Sequence, residues 1–319
     1  NSNTENPRGD QPDLEKDKAY FSGDEAAWAN IEKGWAGGKW DPSKVTDTDW
    51  TGFVTQTGIT HEHTLRASGG TENIQGSFSF GYLKNEGTQK GQEFERFNLS
   101  MSVDIQAKPW MKIGGSINAS HAGQDYGYSR TGQSSNSGPV DLYSAAKAIL
   151  RYTVPYDEDG EIISMPGGST TNTYTVIDEW KKSIEERKIY RVLGSIYAQV
   201  DFGKIWEPLD GLTYKFAFGP DFRHYRRGLF IDATSAVKMG SANQANWNTD
   251  RRFSWTLDNM LMYNKKFGNH TLGVTFVQSA SKYNSENASM SEKNVFIPSY
   301  LWNNMGDIDI YDSEKYGAG

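Results

Sequence analysis

Between Gly58 and Ile105 polar and apolar residues alternate almost without interruption, and no other feature of this chain narrows its possible folds so far. In one run Ile74, Phe78, Phe80 and Tyr82 share a face with Gly76, while Gln75, Ser77, Ser79 and Gly81 share the other. In the next, Phe97, Leu99, Met101, Val103 and Ile105 oppose Asn98, Ser100, Ser102, Asp104 and Gln106. A strict period of two means β-strands with one apolar and one polar face. The fold then turns on which solvent the apolar face meets.

Two architectures satisfy the pattern: a soluble β-sandwich, with its apolar faces turned inward, and a membrane β-barrel, with them turned outward. Length does not separate them, since 319 residues suit one or two domains of either kind. Mean hydropathy is −0.70, and no run approaches the ~18 apolar residues of a membrane helix. A barrel keeps hydropathy low in any case, because half of every strand is polar. Cysteine is absent, which excludes disulfides and thiol chemistry. The net charge of −7 supplies no basic footprint, so nucleic acid is not an expected partner. The opening NSNTENPRGDQPD carries no leader pattern; either a leader was removed or this is a piece of a longer polypeptide.

Along the chain, residues 1 to about 21 read as loop, and Ser22 with Glu25 as the capping box of a short helix bearing Trp28, Ile31 and Trp35. A further loop leads to Ile59. Four strands follow, the fourth from Met111 to His121, and then a long excursion over about 122–186. It contains two helical patterns, PVDLYSAAKAILRY, with Pro139 at the first position, and TVIDEWKKSIEER, with Thr175 and Asp178 as caps. Strands resume at Ile189–Phe202, Leu212–Tyr225, Arg252–Lys266 and Thr271–Ser281, with a loop over 226–250. The expected organisation is 1–58 as a loop and short helix, 59–281 as about eight strands with the long loop 122–186, and 282–319 as a further loop.

Two observations favour the barrel. The apolar faces of the second and the last four strands contain no Lys, Arg, Asp or Glu; their charges sit opposite. Lipid enforces such segregation, because a mid-bilayer Lys or Arg on a barrel's outer face costs about 2–4 kcal/mol. The strands are also long for a sandwich and suit the ~9–11 residues that cross a bilayer. Phe78, Phe80, Leu99, Met101, Val103, Phe216, Phe218 and Leu257 are therefore expected to face outer-membrane lipid. Asp104, Lys112, Arg191, Asp221 and Arg223 are expected to line the lumen. GGTEN, AKPW, GKIWEPLDG and FGNH are short turns that alternate with long loops, the asymmetry of periplasmic turns and external loops. Trp110, Trp206 and Phe267 at the short turns suit a periplasmic aromatic girdle.

The stretch 46–118 resembles the barrel segment of SusC/RagA-type TonB-dependent outer-membrane transporters of Bacteroidetes. The matching residues are Thr48-Asp49-Trp50, the His63–Ser68 strand, Ser68-Gly69-Gly70, Gly81-Tyr82, Glu86-Gly87, Arg96-Phe97-Asn98-Leu99 and Trp110-Met111-Lys112-Ile113-Gly114. Beyond 118 only the strand and loop rhythm matches. The resemblance implies an all-β fold, about eight antiparallel strands of a transmembrane barrel of about 22. It implies active import of glycan fragments, peptides or other large nutrients across the bacterial outer membrane. It also implies a SusD-like surface lipoprotein as lid, the TonB–ExbB–ExbD complex acting through a plug that this chain lacks, and a dimer of SusC–SusD-like pairs. The alternative is a surface-exposed carbohydrate-binding or adhesin-like β-module without transport activity.

No nucleophile–base set or carboxylate dyad stands out, so an enzyme is not expected. Tyr126, Tyr128, Trp247 and Trp302, in Gly/Ser/Asn-rich external segments, are the candidate ligand contacts, since flat rings stack on sugar faces. Their competing role is loop packing or contact with a lid. His61 and His63 share a strand face but lack a third ligand, and interfacial packing is the stronger reading. DEDGE at Asp157 lacks the spacing of an EF-hand and reads as a hairpin tip. Asp307, Asp309 and Asp312 are a candidate Ca²⁺ set in an external loop, against a plain acidic loop. No cofactor is expected.

Overall fold

The structure, a computed structural model, describes residues 5–23, 25–128, 141–168, 173–236, 238, 240–295, 297–303 and 305. Eight antiparallel strands form one sheet in sequence order. They are β1 (Thr60–Gly70), β2 (Ile74–Glu86), β3 (Gln92–Lys108), β4 (Met111–Tyr126), β5 (Ser183–Asp201), β6 (Leu212–Ile231), β7 (Gln244–Phe267) and β8 (His270–Lys293). Each strand pairs with the next by a near-continuous register, so neighbours across the sheet share a face. Pro220 sits in a central strand, where proline lacks a ladder donor. Gly194 of β5 opposes it, and a Cβ there would lie 3.0 Å from the Pro220 ring. Among the described residues no helix is long and apolar enough to cross a membrane.

The apolar face is not the core. Leu65 is 63% exposed, Ile196 56% and Phe276 67%, and the eight residues expected to face lipid all fall on this one face. The band they form has oblique edges. The hydrogen-bonded row through Ile74 runs by Ile105, Ile113, Ala198 and Phe216 to Gln278, yet the apolar face of β8 begins six residues lower, at Leu272. The row through Tyr82 ends at Glu286, six residues beyond Ala280, where the band closes on β8. Both edges thus shift by an average of one residue per strand over six steps. With a rise of ~3.3 Å per residue and a strand spacing of ~4.8 Å, a level band requires strands tilted by roughly 35°. That is the tilt of transmembrane barrels. The tilt also explains why Arg251, Lys282 and Glu286, on the same face, lie outside the band.

One end of the sheet carries the tight turns and the other a folded layer that holds the buried residues. On that layer α1 (Leu14–Phe21), α2 (Glu25–Trp35), α3 (Trp50–Val54) and α4 (Leu142–Ala148) bring the N-terminal segment onto the excursion. Trp50, Val54, Leu142, Ala146, Ile149, Val176 and Ile177 form one buried cluster. Phe21, Ala27, Ile31, Val45 and Tyr152 form another. The Trp50 indole donates to the Leu150 carbonyl at 3.2 Å, and the Thr48 hydroxyl to that of Thr153 at 2.7 Å.

Several local expectations are corrected. Residues 14–21 are helical rather than loop, because Asp13 caps them by accepting from the Lys16 N–H. Ser22 is the C-cap of that helix, not the N-cap of the next. Residues 50–54 are also helical, capped by Asp49; the Thr51 hydroxyl and Gly52 N–H hold its carboxyl below the ordinary carboxylate range. Asp141 caps α4, and Pro139 lies outside the described residues. TVIDEWKKSIEER gives only one helical turn, α5 (Glu179–Lys182), with Asp178 left-handed and making no side-chain cap bond. Its second half joins β5, where pairing with β6 outweighs helical periodicity. The loop expected over 226–250 shrinks to 232–243, and β8 runs past the boundary at 281 to Lys293. Asp157 does sit at a hairpin tip, bracketed by the Tyr156–Ile162 bridge and accepting from the Asp159 and Glu161 N–H groups.

Candidate functional site

The polar face is the side of the sheet built for chemistry. Toward the tight turns it is a lattice of small polar groups. Ser77 and Ser102 share a hydroxyl–hydroxyl bond of 2.7 Å, Ser100 donates to Asn118 at 2.7 Å, and Asp104 accepts from the Tyr197 hydroxyl beside Lys112.

Toward the loop end it becomes densely charged. Alternation places Glu185, Arg187 and Arg191 of β5, Asp221, Arg223 and Arg227 of β6, and Asp250 and Arg252 of β7 on this face. Arg191 grips Asp221 with both prongs of its fork, at 3.1 and 2.7 Å. Arg252 contacts Asp250 at 2.7 and 3.0 Å. Glu185, almost fully buried, takes both Arg187 at 2.8 Å and Arg227 at 2.7 Å on the same oxygen. The Arg187 guanidinium lies 4.2 Å from the Tyr126 ring centre and donates to its hydroxyl at 3.1 Å.

On the apolar face a row of rings follows the hydrogen-bonded row through Tyr82 across six strands, leaving the loop-side edge of the band as it goes. His63, Tyr82, Phe97, His121, Tyr190 and His224 follow one another with centroids 4.4 to 6.4 Å apart. Rings that are apolar in body and polar at the rim collect where hydrocarbon meets water.

Beyond the sheet, a cavity of about 470 Å³ separates the excursion from loop 232–243. Glu179 lines it, with one carboxylate oxygen on the Ala236 N–H at 2.7 Å and the other on Lys182 at 3.0 Å. Burial raises this carboxyl above its ordinary pKa despite those bonds.

No protein-family model matches the chain. It is 28% identical over 243 residues to TonB-dependent receptor P3 of Formosa agariphila, covering 76% of this chain and 23% of the relative. It is 22% identical to TonB-dependent receptor P26 of the same organism, covering 84% of this chain and 26% of that one. The chain thus spans about a quarter of the length of the curated relatives it matches. Among solved structures it superposes on the RagAB peptide transporter with a TM-score of 0.68 at 18% identity, over 96% of this chain and 33% of that one. Against the "open-open" state of the RagAB peptide importer the TM-score is 0.67 at 17% identity, over 97% of this chain and 33% of that one. The fold is that of a TonB-dependent receptor's barrel wall. The resemblance drawn from residues 46–118 is borne out, and the sandwich is set aside.

Within this sheet the four candidate aromatic contacts do not converge. Tyr126 ends β4 and stands with the arginines of the polar face. Tyr128 packs against Leu229 and Ile231 and against the Trp50 cluster. Trp247 is not in a loop but in β7, and Trp302 is only 8% exposed; both belong to a cluster with Phe230, Ala245 and Val295. These two are packing residues, because the segment after β8 folds back over β6 and β7. Asp104, Lys112, Arg191, Asp221 and Arg223 share the polar face and pair among themselves and with Asp250. Arg187, Arg227, Arg252, Glu185 and Asp250 were not singled out by sequence, although YRR and DRR continue the alternation past the strand ends expected there. His63 stacks on Tyr82. Among the described residues no group of three or more His, Asp or Glu is arranged to hold a metal, and Asp307, Asp309 and Asp312 lie outside them.

Proposed function

We propose that this chain forms part of the wall of a TonB-dependent outer-membrane importer for glycan fragments or other large nutrients. The observation that carries the reading is the uncharged band on one face, stepping an average of one residue per strand, opposite a face of hydroxyls, amides and ion pairs. Such a sheet fits lipid on one side and a hydrated lumen on the other. The tight turns then lie in the periplasm, and the N-terminal layer and excursion form the external rim against which a SusD-like lipoprotein lid closes. A plug carried elsewhere in the protein couples the lumen to TonB–ExbB–ExbD. The curated relatives' names support the class, and their low identity leaves the solute to experiment.

This chain has no cysteine, so a cysteine introduced here is compared with the unaltered receptor to report the two faces. In the full-length receptor, Ser100→Cys should react with a water-soluble maleimide added to open channels and Met101→Cys with a lipid-dissolved one. Reaction of both residues from water would overturn the assignment of faces. Solute uptake that persists without TonB would overturn import by this route.

A further inference from the structure

Arg191, Arg223 and Arg252 stand directly opposite one another on three adjacent strands of the polar face. Like charges in such positions repel and weaken a sheet. Two of the three are answered. Arg191 is held by Asp221 through two hydrogen bonds, and Arg252 by Asp250 through one hydrogen bond and a close ion pair. The central one has only a loose ion pair and no hydrogen bond. Arg223 comes only within 3.8 Å of Asp250, beyond hydrogen-bond range, and its guanidinium lies 5.7 Å from the Tyr225 ring centre. It is 34% exposed, open to solvent between two neutralised neighbours.

Two steps of the alternation higher, beyond Tyr225, Arg227 spends one nitrogen on Glu185, and its Nη2 has no hydrogen-bond partner among the described residues. Over the loop-side part of β5 to β7 the polar face thus carries five arginines against three carboxylates, in a chain whose net charge is −7.

We propose that this patch, centred on Arg223, recognises carboxylate groups on the transported solute. The inference rests on the reading of the polar face as the importer's lumen. A planar guanidinium with a free fork matches a carboxylate with two parallel hydrogen bonds, which an ammonium does not. Asp221 and Asp250 orient the flanking guanidiniums, so the free fork is presented in a fixed frame. Tyr225 next above it, with Asn248 and Asn287 on the same face, offers a ring and amides to the uncharged part of the solute. A carboxylate reaches such a patch on an acidic glycan or on an acidic peptide, and the two share the chemistry that Arg223 reads.

The test uses the full-length receptor in detergent and in cells. Binding and uptake are measured for an oligouronate, an oligoglutamate, a neutral oligoglucose and a neutral oligopeptide, with wild type, Arg223→Gln and Arg223→Lys. Preference for either acidic probe, weakened about tenfold in Arg223→Gln and only partly recovered in Arg223→Lys, supports the proposal and names the source. The preference should also weaken as salt rises. Heat-modifiable migration of each variant shows that the barrel has folded. Equal handling of acidic and neutral probes, with no effect of Arg223→Gln, would overturn it. So would a variant that loosens the plug, seen as protease cleavage or raised conductance, while solute ranking stays unchanged; the patch would then dock a protein surface. If wild type takes up no probe in a TonB-dependent way, the import reading itself fails; TonB-dependent uptake without acidic preference sinks only this inference.

Discussion

The indole of Trp302 occupies the space in which a Cβ on Gly228 would stand. The segment after β8 therefore lies on the sheet at a position where β6 offers backbone and no side chain. Gly228→Ala should expel the ring, at a cost of about 1–3 kcal/mol for overpacking. The segment would then become open to trypsin at Lys293, while the band below stays protected. Unchanged protection would show that the contact does not hold the segment down.

Neighbouring residues on β3 report opposite faces. Met101→Lys places a charge in the middle of the apolar band and should cost about 2–4 kcal/mol in lipid bilayers, whereas Ser100→Lys should be nearly neutral. Urea unfolding of the receptor in vesicles measures both. Equal losses would contradict the assignment of the faces.

Glu179 makes the folded layer at the loop end of the sheet sensitive to pH. Its folded pKa is raised by burial above the ordinary 4.5, so the folded form holds its proton longer than the unfolded one. The contribution of Glu179 is therefore fully present below 4.5 and is lost as pH climbs through the raised value. Amide exchange over residues 175–183, corrected for its intrinsic pH dependence, should report weaker protection at about pH 7 than at about pH 4. Glu179→Gln should flatten the difference; a slope unaltered by that change would assign the effect elsewhere.

The ring row makes a graded prediction. Tyr190 contacts His121 at 4.4 Å and His224 at 6.2 Å. Tyr190→Ala should cost about 1–3 kcal/mol for two aromatic contacts, and Tyr190→Phe much less. If the phenylalanine variant loses as much as the alanine one, the hydroxyl and not the stack is what matters at that position.

The sheet was legible in the sequence because its signal is redundant. Each strand repeats the alternation, and a slip of β3 by one residue would turn Leu99, Met101 and Val103 to the polar side together. What was lost lay at strand ends. IEER at 184–187 satisfies a helical period locally, and only the partner strand β6 decides otherwise. The same blindness hid Arg227 and Asp250, which stand in a segment that reads as loop. Trp302 looked like an exposed loop aromatic because its partner, Gly228, lies 74 positions away and leaves no pattern in the chain.

The oblique band has a consequence for anything that moves along the wall. If the band is level, the hydrogen-bonded rows are not; each step from one strand to the next toward β8 climbs by about 3 Å toward the loop end. Arg252 therefore stands higher than Arg223, and Arg223 higher than Arg191. The three guanidiniums form a ramp. A chain of negative groups handed down from one to the next would turn about the long axis as it sank, tracing the thread of a screw and not a plumb line.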